Sequence, residues 1–215
     1  MSTAMIFSQL AAGMLKSISI FCWTLLFSLP LGMLIAFGRM SKNPVIRGLV
    51  KIYISVMRGT PLMLQLMVVF YGPFYLWGAN ISGYRYPAII IAFAINYAAY
   101  FGEIYRSGIE SMPIGQYEAA EILGYRPAQT FVHIILPQVI KRVLPALTNE
   151  LVTLVKDTSL AFSLAYMEMF TIAKQIAAKE TTFIPFVVAG IFYFIFNFVV
   201  AAGMEWVEKR FGYYR

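Results

Sequence analysis

The sequence is poor in cysteine, in histidine and in charge. Cys22 stands alone in an apolar run, so no disulfide and no cysteine-based metal site is available. His133 is the single imidazole, and a lone histidine is far more often a packing or surface residue than a ligand. Charged residues make up 13% of the chain, where soluble domains carry roughly a quarter. A Gly-rich phosphate loop ending in Lys-Ser/Thr is missing too, which excludes the chain itself as an ATPase. No catalytic constellation, metal or cofactor is expected. Residues 1–16 lack a basic n-region and an obvious small-residue cleavage site, so no removable signal peptide is expected. Low-complexity tracts, a close internal repeat and a soluble domain are likewise missing, which leaves one transmembrane domain over 1–215.

What fills the chain instead is apolar: 60% of its residues, with a mean hydropathy of +0.72. One soluble core of this size could not hide so much apolar surface. A bilayer can. Residues 17–38 run without a charge, long enough to cross a hydrocarbon layer of about 30 Å. Residues 59–84 form a second uncharged run, and 86–102 a third whose helical pattern extends to about 112. Residues 181–204 are the last clean run. Residues 139–157 are read as a fourth, broken span interrupted by Glu150 and ending at Lys156-Asp157. The expectation is an all-α protein with five spans.

The net charge of +7 does not indicate nucleic acid, because Lys and Arg collect in short segments between the apolar runs. With the N-terminus outside, inner segments 39–58, 103–142 and 203–215 hold twelve Lys/Arg. Outer segments 1–17, 83–86 and 156–184 then hold five. That asymmetry favours an outside N-terminus and a cytoplasmic C-terminus.

The longest piece between spans, about 113–142, must then carry the cytoplasmic work. Residues 117–123 read as a short helix with Ala119, Ala120 and Leu123 on one small apolar face. Gly124 suits a left-handed helix end, Pro127 the first turn of a second helix, and Pro137 a break before the next span. A knob of this kind can fit a groove on a separate protein.

These residues carry a resemblance. Glu118-Ala119-Ala120, then Gly124, Ile134 and Leu136-Pro137 are similar to the EAA signature of bacterial ABC importer permeases. Tyr53-Ile54, Arg58-Gly59-Thr60-Pro61-Leu62 and Gln65 resemble the polar amino-acid permeases of the histidine, glutamine and arginine type. So do Glu103, Arg106, Gly108-Ile109, Gly115-Gln116, Asn149-Glu150 and the Lys156-Asp157-Thr158-Ser159-Leu160 run. The resemblance implies the ABC type I importer permease fold, with a coupling helix over 113–133. It implies that Gly115, Glu118, Ala119, Ala120 and Gly124 couple to the ATPase. It further implies a multi-pass subunit of the cell inner membrane, working as a dimer, with a homodimer the economical form. Its partners would be two cytoplasmic ATP-binding subunits and an extracellular or periplasmic amino-acid-binding protein.

Ionisable groups within spans cost several kcal/mol and normally face protein or water. Asn96, Tyr97, Tyr100, Glu103, Asn149, Glu150, Asp157 and the backbone at Thr158, Ser159 and Leu160 are therefore the expected substrate pocket. Three acids against Lys156 favour arginine, lysine or histidine as substrate. Plainer readings stand beside this one: Glu103–Arg106 and Arg106–Glu110 have helix ion-pair spacing, and Lys156–Asp157 suits an interfacial pair. An ion-coupled carrier or channel, a membrane scaffold, and an ABC permease for another solute are the rival functions. The first of these leaves the EAA spacing without a reason.

Overall fold

The computed structural model describes residues 3–211, and among them the chain is helices and turns without a strand. Met1 and Ser2 of the N-terminal reading, and Arg215 among the inner cations, lie outside the described residues. Four helices are long and apolar enough to cross a bilayer, and a bent pair makes a fifth span when its members are taken together.

The first helix, α1 (Thr3–Arg39), begins fourteen residues before the uncharged run. Ile6, Leu10 and Met14 recur at helical spacing and are buried against a later helix, which extends α1 beyond what hydropathy alone marks. Its C-terminal half presents Ser28, Gly32 and Ala36, all buried, to the central helix α4 (Arg85–Glu110). The backbones approach closely there. A Cβ at Gly102 would stand 2.6 Å from Ile35 Cγ2 and 3.2 Å from the Gly32 carbonyl oxygen. Small residues of this kind let spanning helices pack by van der Waals contact where no hydrophobic force drives them together.

Between these two, the chain departs from the expected single span over 59–84. It forms α2 (Pro44–Gly59) and α3 (Leu62–Trp77), bent by 110° at Thr60-Pro61. Asn43 caps α2 by accepting from Val45 N at 2.9 Å. Pro61 forces the preceding residue out of the helical region, and Thr60 is extended at φ −122°, ψ 148°. The Thr60 hydroxyl donates back to the Val56 carbonyl at 2.8 Å and closes α2. Pro61 holds the cap position of α3 without a side-chain bond.

Residues 113–133 comprise α5 (Ile114–Ile122) and α6 (Pro127–Thr130), with Gly124 left-handed at φ +79°. Pro137 does not break the chain. A π turn over Phe131–Ile135 leads straight into α7 (Leu136–Asp157), and the Leu136 N–H reaches back to the Phe131 carbonyl. The wider turn accommodates a proline near the helix start, where a missing N–H is tolerated. Past α7 the chain tightens into a 3₁₀ turn, Thr158–Leu164, before α8 (Met169–Glu180) and the final span α9 (Ile184–Arg210). The central helix α4 is packed by α1, α2, α3 and α7, and Phe93, Tyr97 and Phe101 form its buried spine.

Candidate functional site

The elbow between α2 and α3 must satisfy carbonyls that no helix continues to pair, and no water is present in a bilayer core to do so. The fold solves this with two amides. Gln65 Nε2 donates to Met57 O at 3.0 Å, to Thr60 O at 3.2 Å and to Thr60 Oγ1 at 2.8 Å. Asn96 Nδ2 donates to Met57 O at 3.0 Å and to Gln65 Oε1 at 2.9 Å. The Tyr53 hydroxyl donates to Ile95 O one turn below. Asn96 is thus 3% exposed and committed to the elbow, away from the expected pocket wall. Because Ile95 and Asn96 lie near the middle of the 26-residue α4, the elbow sits at mid-span height.

Beside the elbow is an open cavity of about 380 Å³, within the range that holds small ligands. Its polar lining is Arg58, Tyr100, Glu103, Ser107, Ser111, Arg142 and Glu150. Three expected pocket residues meet here: Tyr100, Glu103 and Glu150. Two cations that sequence reasoning left out complete the wall. Arg58 arrives from α2, while Arg142 stands two turns before Glu150 on α7, a helical spacing that sequence reasoning left unused. Glu103 is paired with Arg106, which also binds Glu110, so the plain ion-pair reading of Glu103 holds alongside its place on the wall.

Asp157 lies two turns along α7 from Glu150, about 10 Å by helical rise. Its Oδ2 accepts from the Tyr97 hydroxyl at 2.7 Å, and Tyr97 is itself 2% exposed with its ring 6.0 Å from that of Tyr100. Asn149 is exposed on the neighbouring face of α7 and is not part of the wall. The stretch expected to open its backbone does not. Thr158 Oγ1 donates to Val155 O at 2.7 Å and Ser159 Oγ to Lys156 O at 2.8 Å, while Leu160 packs against the core. These three residues stand outside the cavity.

Of the residues expected to couple to an ATPase, Gly115, Glu118, Ala119 and Gly124 are exposed and Ala120 is 1% exposed. The expected shared face is therefore split: Ala120 turns inward, while Ala119 and Leu123 point out. The exposed apolar surface is made by Ile114, Ile122 and Leu123. Gly124 N donates to Glu121 O and Tyr125 N to Ala120 O, a helix end that requires the left-handed glycine. Tyr117 is partly buried, and that burial pushes its phenol above the ordinary range. Two contacts tie this region to α7. Gln116 and Gln138 exchange hydrogen bonds at 2.8 Å in both directions, and Arg142 Nη1 donates to Ser111 O at 2.7 Å and Ser111 Oγ at 3.0 Å.

A further acid escaped the sequence reading because it lies between spans. Glu168 is fully buried. It caps α8 by accepting from Phe170 N and Thr171 N, both at 2.7 Å, and from Thr171 Oγ1 at 2.8 Å. Ser17 of α1 and Tyr193 of α9 each donate to it at 3.3 Å. Replacing Glu168 with alanine strands these donors and removes a cap, a loss of roughly 2–4 kcal/mol. The detergent-solubilised protein is expected to unfold about 5–10 °C lower. An unchanged melting temperature would show that α8 is held by its apolar contacts alone.

Residues 28–213 match the family of inner membrane components of binding-protein-dependent transport systems. The L-cystine transport system permease protein TcyB of Bacillus subtilis is 34% identical over 204 residues, covering 94% of this chain and 86% of that protein. The putative glutamine transport system permease protein GlnP of Rickettsia conorii is 36% identical over 187 residues, covering 86% and 84%. A solved amino acid ABC transporter with histidines superposes with a TM-score of 0.85 at 29% identity, covering 94% of both chains. The chain belongs to the family of binding-protein-dependent inner membrane transport components. More narrowly, it is a permease subunit of the amino-acid ABC importers, a multi-pass membrane protein whose ATP hydrolysis lies in a separate subunit.

Proposed function

We propose that this chain carries a polar amino acid across the membrane through the cavity between α2, α4 and α7, as one half of a permease homodimer served by two ATPase subunits and an extracellular binding protein. The observation that carries this reading is the wall itself: Arg58 and Arg142 stand with Glu150 around a space of amino-acid size that runs from beside the elbow to the C-terminal end of α4. A zwitterion needs both signs of charge, and a bilayer offers neither. The cystine and glutamine permeases named among the relatives serve substrates of that type.

The charge count shifts the expected side chain. Glu103 is neutralised by Arg106, and two guanidinium groups share the wall with Glu150, so the site suits the zwitterionic backbone first. A basic side chain would gain from Asp157, reached beyond the Tyr97 hydroxyl. Exposed polar residues on α7, Asn149, Thr153 and Lys156, are costly against lipid, which favours a second copy over that face.

The N-terminus is placed outside. Arg58 belongs at mid-span rather than in a loop, and eleven cations against five still favour that orientation. The ATPase would grip Gly115, Glu118, Ala119, Ala120 and Gly124, with Ile114, Ile122 and Leu123 supplying apolar contact. Its closure would move α5, and through α5 the α7 wall. The test is ATP hydrolysis by the complete transporter in lipid, across the twenty amino acids, with accessibility labelling of residues 115–133 in intact cells. Stimulation by a polar amino acid is expected. Gradient-driven uptake into vesicles holding this chain alone, or labelling of 115–133 from outside, would overturn the reading.

A further inference from the structure

Arg58 occupies the last turn of α2. That turn is clamped at mid-span height by Tyr53, Gln65 and Asn96, so the position of Arg58 is fixed by hydrogen bonds that do not involve Arg58 itself. A guanidinium this deep in a spanning segment is expensive and rare, and it usually marks a functional contact. Two other cations here are committed: Arg106 to Glu103 and Glu110, Arg142 to the Ser111 carbonyl and hydroxyl. Arg58 has no such commitment. Among the described residues it forms no ion pair and no hydrogen bond, and its guanidinium lies over the Tyr100 ring, 5.2 Å from the centroid. An aromatic face can hold a guanidinium in place while leaving its planar fork of N–H donors unused.

We infer that Arg58 is the anchor for the substrate's α-carboxylate. This deepens the amino-acid reading and rests on it. Carboxylate is the group that an arginine fork binds through two parallel hydrogen bonds, and it is present on every amino acid whatever its side chain. Glu150, on the same wall, then faces the α-ammonium. The backbone ends of the substrate are recognised by this pair, and the side chain extends toward Tyr97 and Asp157. Arg58 is a binding residue for the family of substrates as a whole and does not choose among them.

The test uses permease and ATPase subunits purified together without the binding protein, so that any discrimination belongs to the permease. The probe is whichever amino acid stimulates hydrolysis most in the complete transporter, together with its α-carboxamide, which keeps the ammonium and side chain but loses the negative charge. The unmodified complex is expected to bind the amino acid at least tenfold more tightly than the carboxamide. In Arg58→Gln that preference is expected to fall to within about twofold. Arg58→Lys, which keeps the charge but loses the fork, is expected to retain an intermediate preference, and it carries the test if the glutamine variant fails to assemble. Full preference in both variants would overturn the assignment and leave Arg58 as a counter-ion for Glu150. Equal binding of acid and amide by the unmodified complex would overturn it as well. If none of the twenty amino acids stimulates the complete transporter, it is the amino-acid reading that fails, and this inference with it.

Discussion

Replacing Gln138 with leucine is expected to uncouple ATP hydrolysis from transport, cutting substrate uptake about tenfold or more per ATP consumed. The reason lies in how α5 meets α7. Gln116 and Gln138 donate to and accept from each other, and Gln138 Nε2 also reaches Ile134 O at 2.7 Å. One turn further along α7, Arg142 holds the loop before α5 through Ser111. Residues 138 and 142 share a helix face, so these are two points of one attachment. Ser111 and Arg142 also line the cavity, and Glu150 lies two turns beyond. Under the proposed docking, a displacement of α5 by the ATPase would reach the cavity wall through these side chains. Losing a reciprocal amide pair removes roughly 1–3 kcal/mol of connection, a factor of ten or so in a coupled equilibrium. Uptake and hydrolysis measured together in proteoliposomes supply the check. Gln116→Leu should match Gln138→Leu, and the double variant should be no worse than either, as expected for two halves of one interaction. Additive losses would mean that each glutamine acts separately.

What could be read without coordinates was the chemistry carried by neighbouring residues. Glu118-Ala119-Ala120 with Gly124 and Pro127 foretold two short helices and a left-handed corner, since each depends on backbone preferences a few residues long. The Glu103–Arg106–Glu110 ladder followed from helical spacing alone. Hydropathy found the spans but not their joints. It merged α3 with its surroundings because Thr60 and Pro61 are uncharged, although proline geometry at that point dictates the bend. It also stopped α1 at residue 17, because Lys16 hides an apolar stripe that only a packing partner makes useful.

The remaining differences are tertiary. Asn96 looked like a pocket residue because buried amides in spans are scarce; its partner Gln65 comes from another helix, and the elbow carbonyls that need both do not exist until α2 meets α3. Arg58 was invisible beside Glu150 for the same reason, whereas Arg142 precedes Glu150 by two turns of the same helix. Thr158, Ser159 and Leu160 were expected to offer backbone to the pocket, but the Thr158 and Ser159 hydroxyls pair with carbonyls of the last turn of α7 and the chain continues as a 3₁₀ turn. At Asn96, Thr158 and Ser159 a short polar side chain had two local options. The neighbours selected one.

Glu150→Gln is the substitution with the largest expected effect on substrate handling. The side chain keeps its shape and loses its charge, so the cavity is preserved while the sole acid on its wall without a bonded cation is removed; Glu103 spends its charge on Arg106. A charged hydrogen bond to an ammonium contributes roughly 1.5–3 kcal/mol, so the half-maximal substrate concentration for stimulated hydrolysis should rise about ten- to a hundredfold. Glu103→Gln removes a charge from the same wall but one already neutralised within its own helix, and its shift should be several-fold smaller. Glu205→Gln, whose exposed carboxylate pairs with Lys209 at the far end of α9, should produce none. The order of these three variants separates a substrate contact from a general loss of negative charge. If Glu103→Gln and Glu150→Gln shift the concentration equally, the wall acts through its overall potential and no individual carboxylate holds the ammonium. If only Glu103→Gln matters, the substrate lies nearer the cytoplasmic end of α4 than the elbow would place it.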